Sequence, residues 1–122
     1  MVGSATITGG NTHAFVYSNG TMTDLGTLGG AYSGANDINA AGQVVGYAYT
    51  RGGASDGDPR HAFISSNGTM TDLGTFGGPH SYASGINAAG QVVGGAKTTG
   101  TYQGEFVSHA FLYSNGSLLD LN

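Results

Sequence analysis

The chain has 122 residues, 24 of them glycine, with only 8% charged side chains and a formal net charge of −4. That length suits one domain, and with so few charges the composition is not that of a disordered polyelectrolyte. Three basic residues offer no clustered cations for a nucleic-acid backbone or an anionic membrane surface. No apolar run reaches the roughly 20 residues of a membrane-inserted span, and the lack of cysteine removes disulfides, thiolate metal sites and thiol nucleophiles.

Residues 1–6 read as a strand, because Val2-Gly3 matches Val45-Gly46 and Val93-Gly94 further on. Residues 8–12 read as a loop. Residues 13–26 begin with His13-Ala14-Phe15 and read as two strands around Asn19-Gly20, since a two-residue type I′ turn needs φ > 0 at both central positions. A glycine-rich link at 27–30 leads to a strand of mostly small residues at 33–39. Ala40-Ala41-Gly42 turns the chain into a further strand at 43–49. The pattern then returns: His61-Ala62-Phe63 and His109-Ala110-Phe111 repeat the hairpin, each 48 residues after the last, with Asn67-Gly68 and Asn115-Gly116 at the turns. The link recurs at 75–78, read as the crossing from an outer strand to the next inner strand, and the small-residue strand at 81–87. No stretch carries a helical apolar stripe.

One period therefore holds four strands. The expected fold class is all-β, with β-propeller-like repeats: four-stranded antiparallel blades with a 48-residue period, forming an incomplete ring in one chain. The small-residue strand goes innermost, where blades crowd an axis. Residues 1–26 form a partial blade lacking its inner strand, and 27–74 and 75–122 are whole blades. Apolar residues fall on both faces of the second and third strands (Val44 and Val45; Ala62, Phe63 and Ile64), as stacking between neighbouring blades requires. About three blades cannot close a ring, so the expectation is that further repeats or further chains complete it.

His-Ala-Phe, followed by Thr-Asp-Leu-Gly-Thr-Leu-Gly-Gly and by Ile-Asn-Ala-Ala-Gly-Gln-Val-Val-Gly, resembles the HAF repeats, a family of bacterial repeats named for that tripeptide and regarded as extracellular. The resemblance covers nearly the whole chain, with the linked segments in order and in register. It implies a secreted, β-rich repeat protein and supplies no catalytic residues. The first copy departs from the pattern by lacking its inner strand, and the last by ending before the glycine-rich link.

The repeat also frames the candidate residues. His13, His61 and His109 recur at the start of the third strand, and Asp24, Asp72 and Asp120 follow eleven residues later. A catalytic group has no need of three identical copies, and no Ser or Cys nucleophile accompanies them. No further ligands recur at fixed offset for a metal. These six are read as structural hydrogen-bonding positions, the Asp bonding to the tight turn or to the His. The Asn-Gly-Thr/Ser turns match the glycosylation acceptor pattern as a by-product of turn chemistry. The links at 50–60 and 98–108 vary most and hold most of the charge. Asp56, Asp58, Arg60, Tyr102 and Glu105 are the candidate binding-loop residues there. Asp56 and Asp58 together fall short of the six to eight oxygens that Ca²⁺ takes. No cofactor is expected. The functional expectation is a non-enzymatic extracellular structural module whose partner is itself, assembling into a closed ring or filament by blade or strand complementation. The alternative is a carbohydrate-binding propeller using Tyr17 and Tyr113, although the middle copy has Ser65 at that position.

Overall fold

The computed structural model describes residues 2–6, 11–18, 20–51, 59–66, 68–102 and 105–121. Among them there are eleven strands and no helix. The first meander is β1 (Val2–Thr6), β2 (Thr12–Ser18) and β3 (Thr21–Gly26), antiparallel in that order. The second is β4 (Ser33–Ile38), β5 (Val44–Tyr49), β6 (Arg60–Ser66) and β7 (Thr69–Gly74). The third is β8 (Gly77–Ile86), β9 (Val92–Tyr102), β10 (Glu105–Ser114) and β11 (Ser117–Asp120). One parallel pairing, Arg60 with His80, joins the second meander to the third. The all-β expectation holds, and the described strands do not close into a ring.

Local chemistry sets the turns. Asn115 and Gly116 have φ of 53° and 82°, as a type I′ turn demands, and Gly20 and Gly68 sit at 80° and 83° in the sister turns. At the Ala-Ala-Gly turn, the Asn39 Oδ1 accepts from the Ala41 and Gln43 amides at 3.1 and 3.0 Å, and Gly42 supplies φ of 85°. Asn87 repeats both bonds, to Ala89 and Gln91.

Two expectations change. The segment 98–108, read from sequence as a loop, is instead a hairpin extension: β9 runs on to Tyr102 and β10 starts at Glu105, with a bulge between Phe106 and Ser108. Alternating β-formers outweigh the glycines there. The link at 75–78 hugs β9: Phe76 donates its amide to the Lys97 carbonyl at 3.2 Å, and β8 already begins at Gly77. Gly78 leaves no room for a side chain, since a Cβ would lie 2.6 Å from the Thr98 carbonyl oxygen.

Two apolar cores lie between the meanders. Ala14, Val44, Ala48 and Phe63 fill one, with Val2, Val16, Leu25 and Met70 against them. Val45, Ala62, Leu73, Ala83, Val92, Ala96 and Phe111 fill the other. Strand alternation sends Val44 and Phe63 to one face of the second meander, and Val45 and Ala62 to its opposite face. The middle sheet is thus buried on both faces, and burial of several large side chains at about 1.5–3 kcal/mol each holds the three sheets in a stack.

Candidate functional site: the His–Asp pairs and two open faces

The recurrent histidines and aspartates meet. The Nδ1 of His13, His61 and His109 lies 2.9, 2.8 and 2.7 Å from a carboxylate oxygen of Asp24, Asp72 and Asp120. Each pair spans one hairpin. In the first two copies the same aspartate also accepts a main-chain N–H, from Gly26 and from Gly74, each at 2.7 Å. Those glycines hold φ of 81° and 85° and sit where a bulge lets Leu25 and Leu73 turn inward to the cores. The pair clamps a bulge, and its carboxylate is already engaged. Among the described residues no three His, Cys, Asp or Glu side chains gather to hold a metal, and no buried side-chain nitrogen or oxygen lacks a partner.

A second repeated device joins neighbouring meanders. Ser33, on β4, accepts the Ala14 amide at 2.7 Å and donates to the Gly26 carbonyl at 2.5 Å. Ser81, on β8, does the same for Ala62 and Gly74, at 2.7 and 2.5 Å. Both serines are buried. Their 48-residue spacing is visible in the sequence, but nothing local to either serine marks its role across the junction. Further links between β4 and β8 run from Asn36 Nδ2 to the Ala83 carbonyl at 2.9 Å and from the Ile86 amide to Asp37 at 3.0 Å.

The candidate loop residues do not form a site. Asp56 and Asp58 lie outside the described residues, as do the side chains of Tyr102 and Glu105. Arg60 is exposed and places its guanidinium 5.6 Å from the centre of the Tyr47 ring. Nearby, the Arg60 amide donates to His80 Nδ1 at 3.4 Å. Burial, aided by the charges of Arg60, Lys97 and His61, holds the His80 imidazole below its usual range. Asn115 lies in its turn as expected, while Asn19 and Asn67 fall outside the described residues.

The most distinctive surfaces are the two end faces. On the outer face of the first meander, Phe15 is half-buried and Tyr17 and Met22 are exposed, beside a cavity of about 150 Å³ lined by Ala5, His13, Phe15 and Asp24. The counterparts of Phe15, namely Phe63 and Phe111, are fully buried against a preceding meander. At the other end Val93 is 46% exposed, whereas its counterpart Val45 is 0% exposed. Leu121 is 53% exposed against 7% for Leu73, and Ala110 is exposed where Ala14 and Ala62 are fully buried. Leu112 and Val93 border a second cavity of about 430 Å³, with Asp37, Asn87 and Gln91 on its rim. Of the three tyrosine-position residues, Tyr17 is exposed, Ser65 is buried and Tyr113 packs against a core, so they do not form equivalent platforms.

In comparisons with known proteins, no family model, no curated protein and no solved structure matches the chain.

Proposed function

We propose that the chain is a non-enzymatic structural repeat module whose meanders are blades of the propeller kind, and that it self-associates head to tail through its two open faces. The observation that carries this reading is the contrast in exposure at equivalent positions. Val93, Ala110 and Leu121 repeat a surface that the second meander buries against Phe111 and its neighbours. Phe15 and Met22 repeat the surface that Phe63 and Met70 bury against the first meander. Each molecule thus presents a face and, at its other end, the face that fits it. Such a heterologous contact closes a ring where its rotation allows and otherwise grows a filament. Two such chains would bring six blades to a ring, within the usual range of four to eight.

The HAF-repeat resemblance and the reliance on neutral polar groups for solubility support an extracellular setting. The engaged carboxylate of the His–Asp clamp supports a non-enzymatic role. Sedimentation velocity over a concentration series tests the proposal. The expected result is a mass that is a multiple of 12.2 kDa and falls on dilution. A single 12.2 kDa species at tens of micromolar overturns it. Binding of that monomer on a glycan array would instead favour the carbohydrate-binding alternative.

A further inference from the structure

The least finished edge of the molecule is β1. Among the described residues β1 pairs only with β2, whereas its counterparts β5 and β9 each lie between two strands. Gly3 in β1 stands opposite Phe15, as Gly46 stands opposite Phe63 and Gly94 opposite Phe111. At Gly46 and Gly94 the need for glycine is plain. A Cβ there would land on the carbonyl oxygen of Gly34 or of Tyr82, main chain of the inner strand that crosses at that point. At Gly3, among the described residues, no main-chain atom occupies that place, and a Cβ would meet only the Phe15 ring, at 3.2 Å. β1 therefore carries the residue that its sisters need to admit an inner strand, while among the described residues no such strand lies over it.

From this we infer that the β1 edge is an acceptor for an extended strand supplied by another polypeptide, with the chemistry of β4 and β8. The incoming strand adds main-chain hydrogen bonds to β1 and seats a carbonyl over Gly3, where any side chain on β1 would block it. Its composition follows from the sister strands, which are small-residue segments carrying a buried serine. That serine has a defined task. Ser33 and Ser81 cap Ala14 and Ala62 of the preceding meander, and the third copy of that position, Ala110, is exposed. In a head-to-tail pair, a strand on β1 of one molecule places its serine toward Ala110 of the next. The inference rests on the proposed reading of the meanders as copies of one unit, but the strand site needs no self-association to be measured.

The test uses the full chain and a labelled synthetic peptide of residues 27–39, titrated by fluorescence anisotropy, with the oligomeric state followed in the same samples. Saturable binding is expected, absent for a scrambled peptide. Gly3→Val should weaken it about tenfold or more, equivalent to about 1.4 kcal/mol, while the circular dichroism spectrum stays unchanged. Gly3→Ala is the milder variant should valine disturb folding. No binding to the wild type overturns the inference, and so does equal binding to the Gly3 variants, which would mean that the peptide displaces β4 or β8 instead. An oligomer that ignores the peptide refutes the strand site alone. A monomer that binds it in a Gly3-dependent way refutes self-association alone.

Discussion

Replacing Ser81 with alanine should cost about 2–4 kcal/mol of folding stability. Ser81 is 1% exposed, and its hydroxyl makes two short bonds, from the Ala62 amide at 2.7 Å and to the Gly74 carbonyl at 2.5 Å. Ala62 is fully buried, so its amide has no water to turn to once the hydroxyl is gone. A stranded buried donor costs about 1–3 kcal/mol. Gly74 is half-buried, and its carbonyl regains part of its solvation from water, leaving about 1 kcal/mol for that bond. Against a total stability of about 5–15 kcal/mol, the loss is large. Urea unfolding measures it as a lower midpoint with an unchanged slope, at a concentration where variant and wild type share one oligomeric state. Ser33→Ala breaks bonds of the same lengths at the other junction and should cost a similar amount. Ser18→Ala, at an exposed position, should stay within about 0.5 kcal/mol. If Ser81→Ala proves as mild as Ser18→Ala, the serine does not join the meanders and the account of how they are held together fails.

Further outcomes follow from other parts of the molecule. Gly46→Ala drives a methyl group into the Gly34 main chain and should cost about 3 kcal/mol or more, whereas Gly3→Ala should cost under about 1 kcal/mol, both read by thermal melting. Ala110→Arg, on the open face of the third meander, should lower the sedimenting mass to one chain without changing the circular dichroism spectrum. Asp72→Ala removes two bonds, to His61 and to the Gly74 amide, and should destabilise by about 1–2 kcal/mol; His61→Ala removes one half-exposed bond and should stay under about 1 kcal/mol in urea unfolding. The folded protein holds the His80 imidazole below the ordinary value of 6.5, so the unfolded chain takes up its proton first as pH falls. Stability should therefore be fully present above 6.5 and decline as pH drops toward the lower folded value. His80→Asn should lessen that decline, and an identical pH profile for the two proteins would refute the assignment.

What the sequence disclosed is what forms within one hairpin. The Asn-Gly turns and the His–Asp pairing are short-range facts, because eleven residues of antiparallel chain bring His61 back to Asp72. What it concealed acts between meanders or depends on compensation. Ser81 reaches back 19 residues to Ala62, across a sheet-to-sheet junction that local patterning does not specify. At Gly34 with Tyr47, and at Tyr82 with Gly95, each position changes type between copies. In three dimensions they are one arrangement inverted. The Tyr47 hydroxyl would lie 2.7 Å from a Cβ at Gly34, and the Tyr82 hydroxyl 2.8 Å from one at Gly95. Each pair holds one ring and one glycine, so the space is filled once whichever strand supplies the ring. Over 98–108 β-formers alternate among glycines that suit a loop equally well, so local pattern alone leaves the length of β9 and β10 open.

The apolar character of the last face bears on what the surface is for. A strand that meets water on one side usually alternates apolar with polar residues, which would put polar side chains at positions 93 and 121. The third meander does the reverse. It keeps valine where Val45 is buried and leucine where Leu73 is buried, and it sets Leu119, 56% exposed, where the earlier copies have Thr23 and Thr71. The open face is therefore at least as apolar as the covered face it repeats. In an isolated molecule that pattern would only invite indiscriminate aggregation. Under the proposed self-association the surface has a defined complement at the other end of the chain, where Phe15 and Met22 hold the positions that Phe63 and Met70 occupy within the fold.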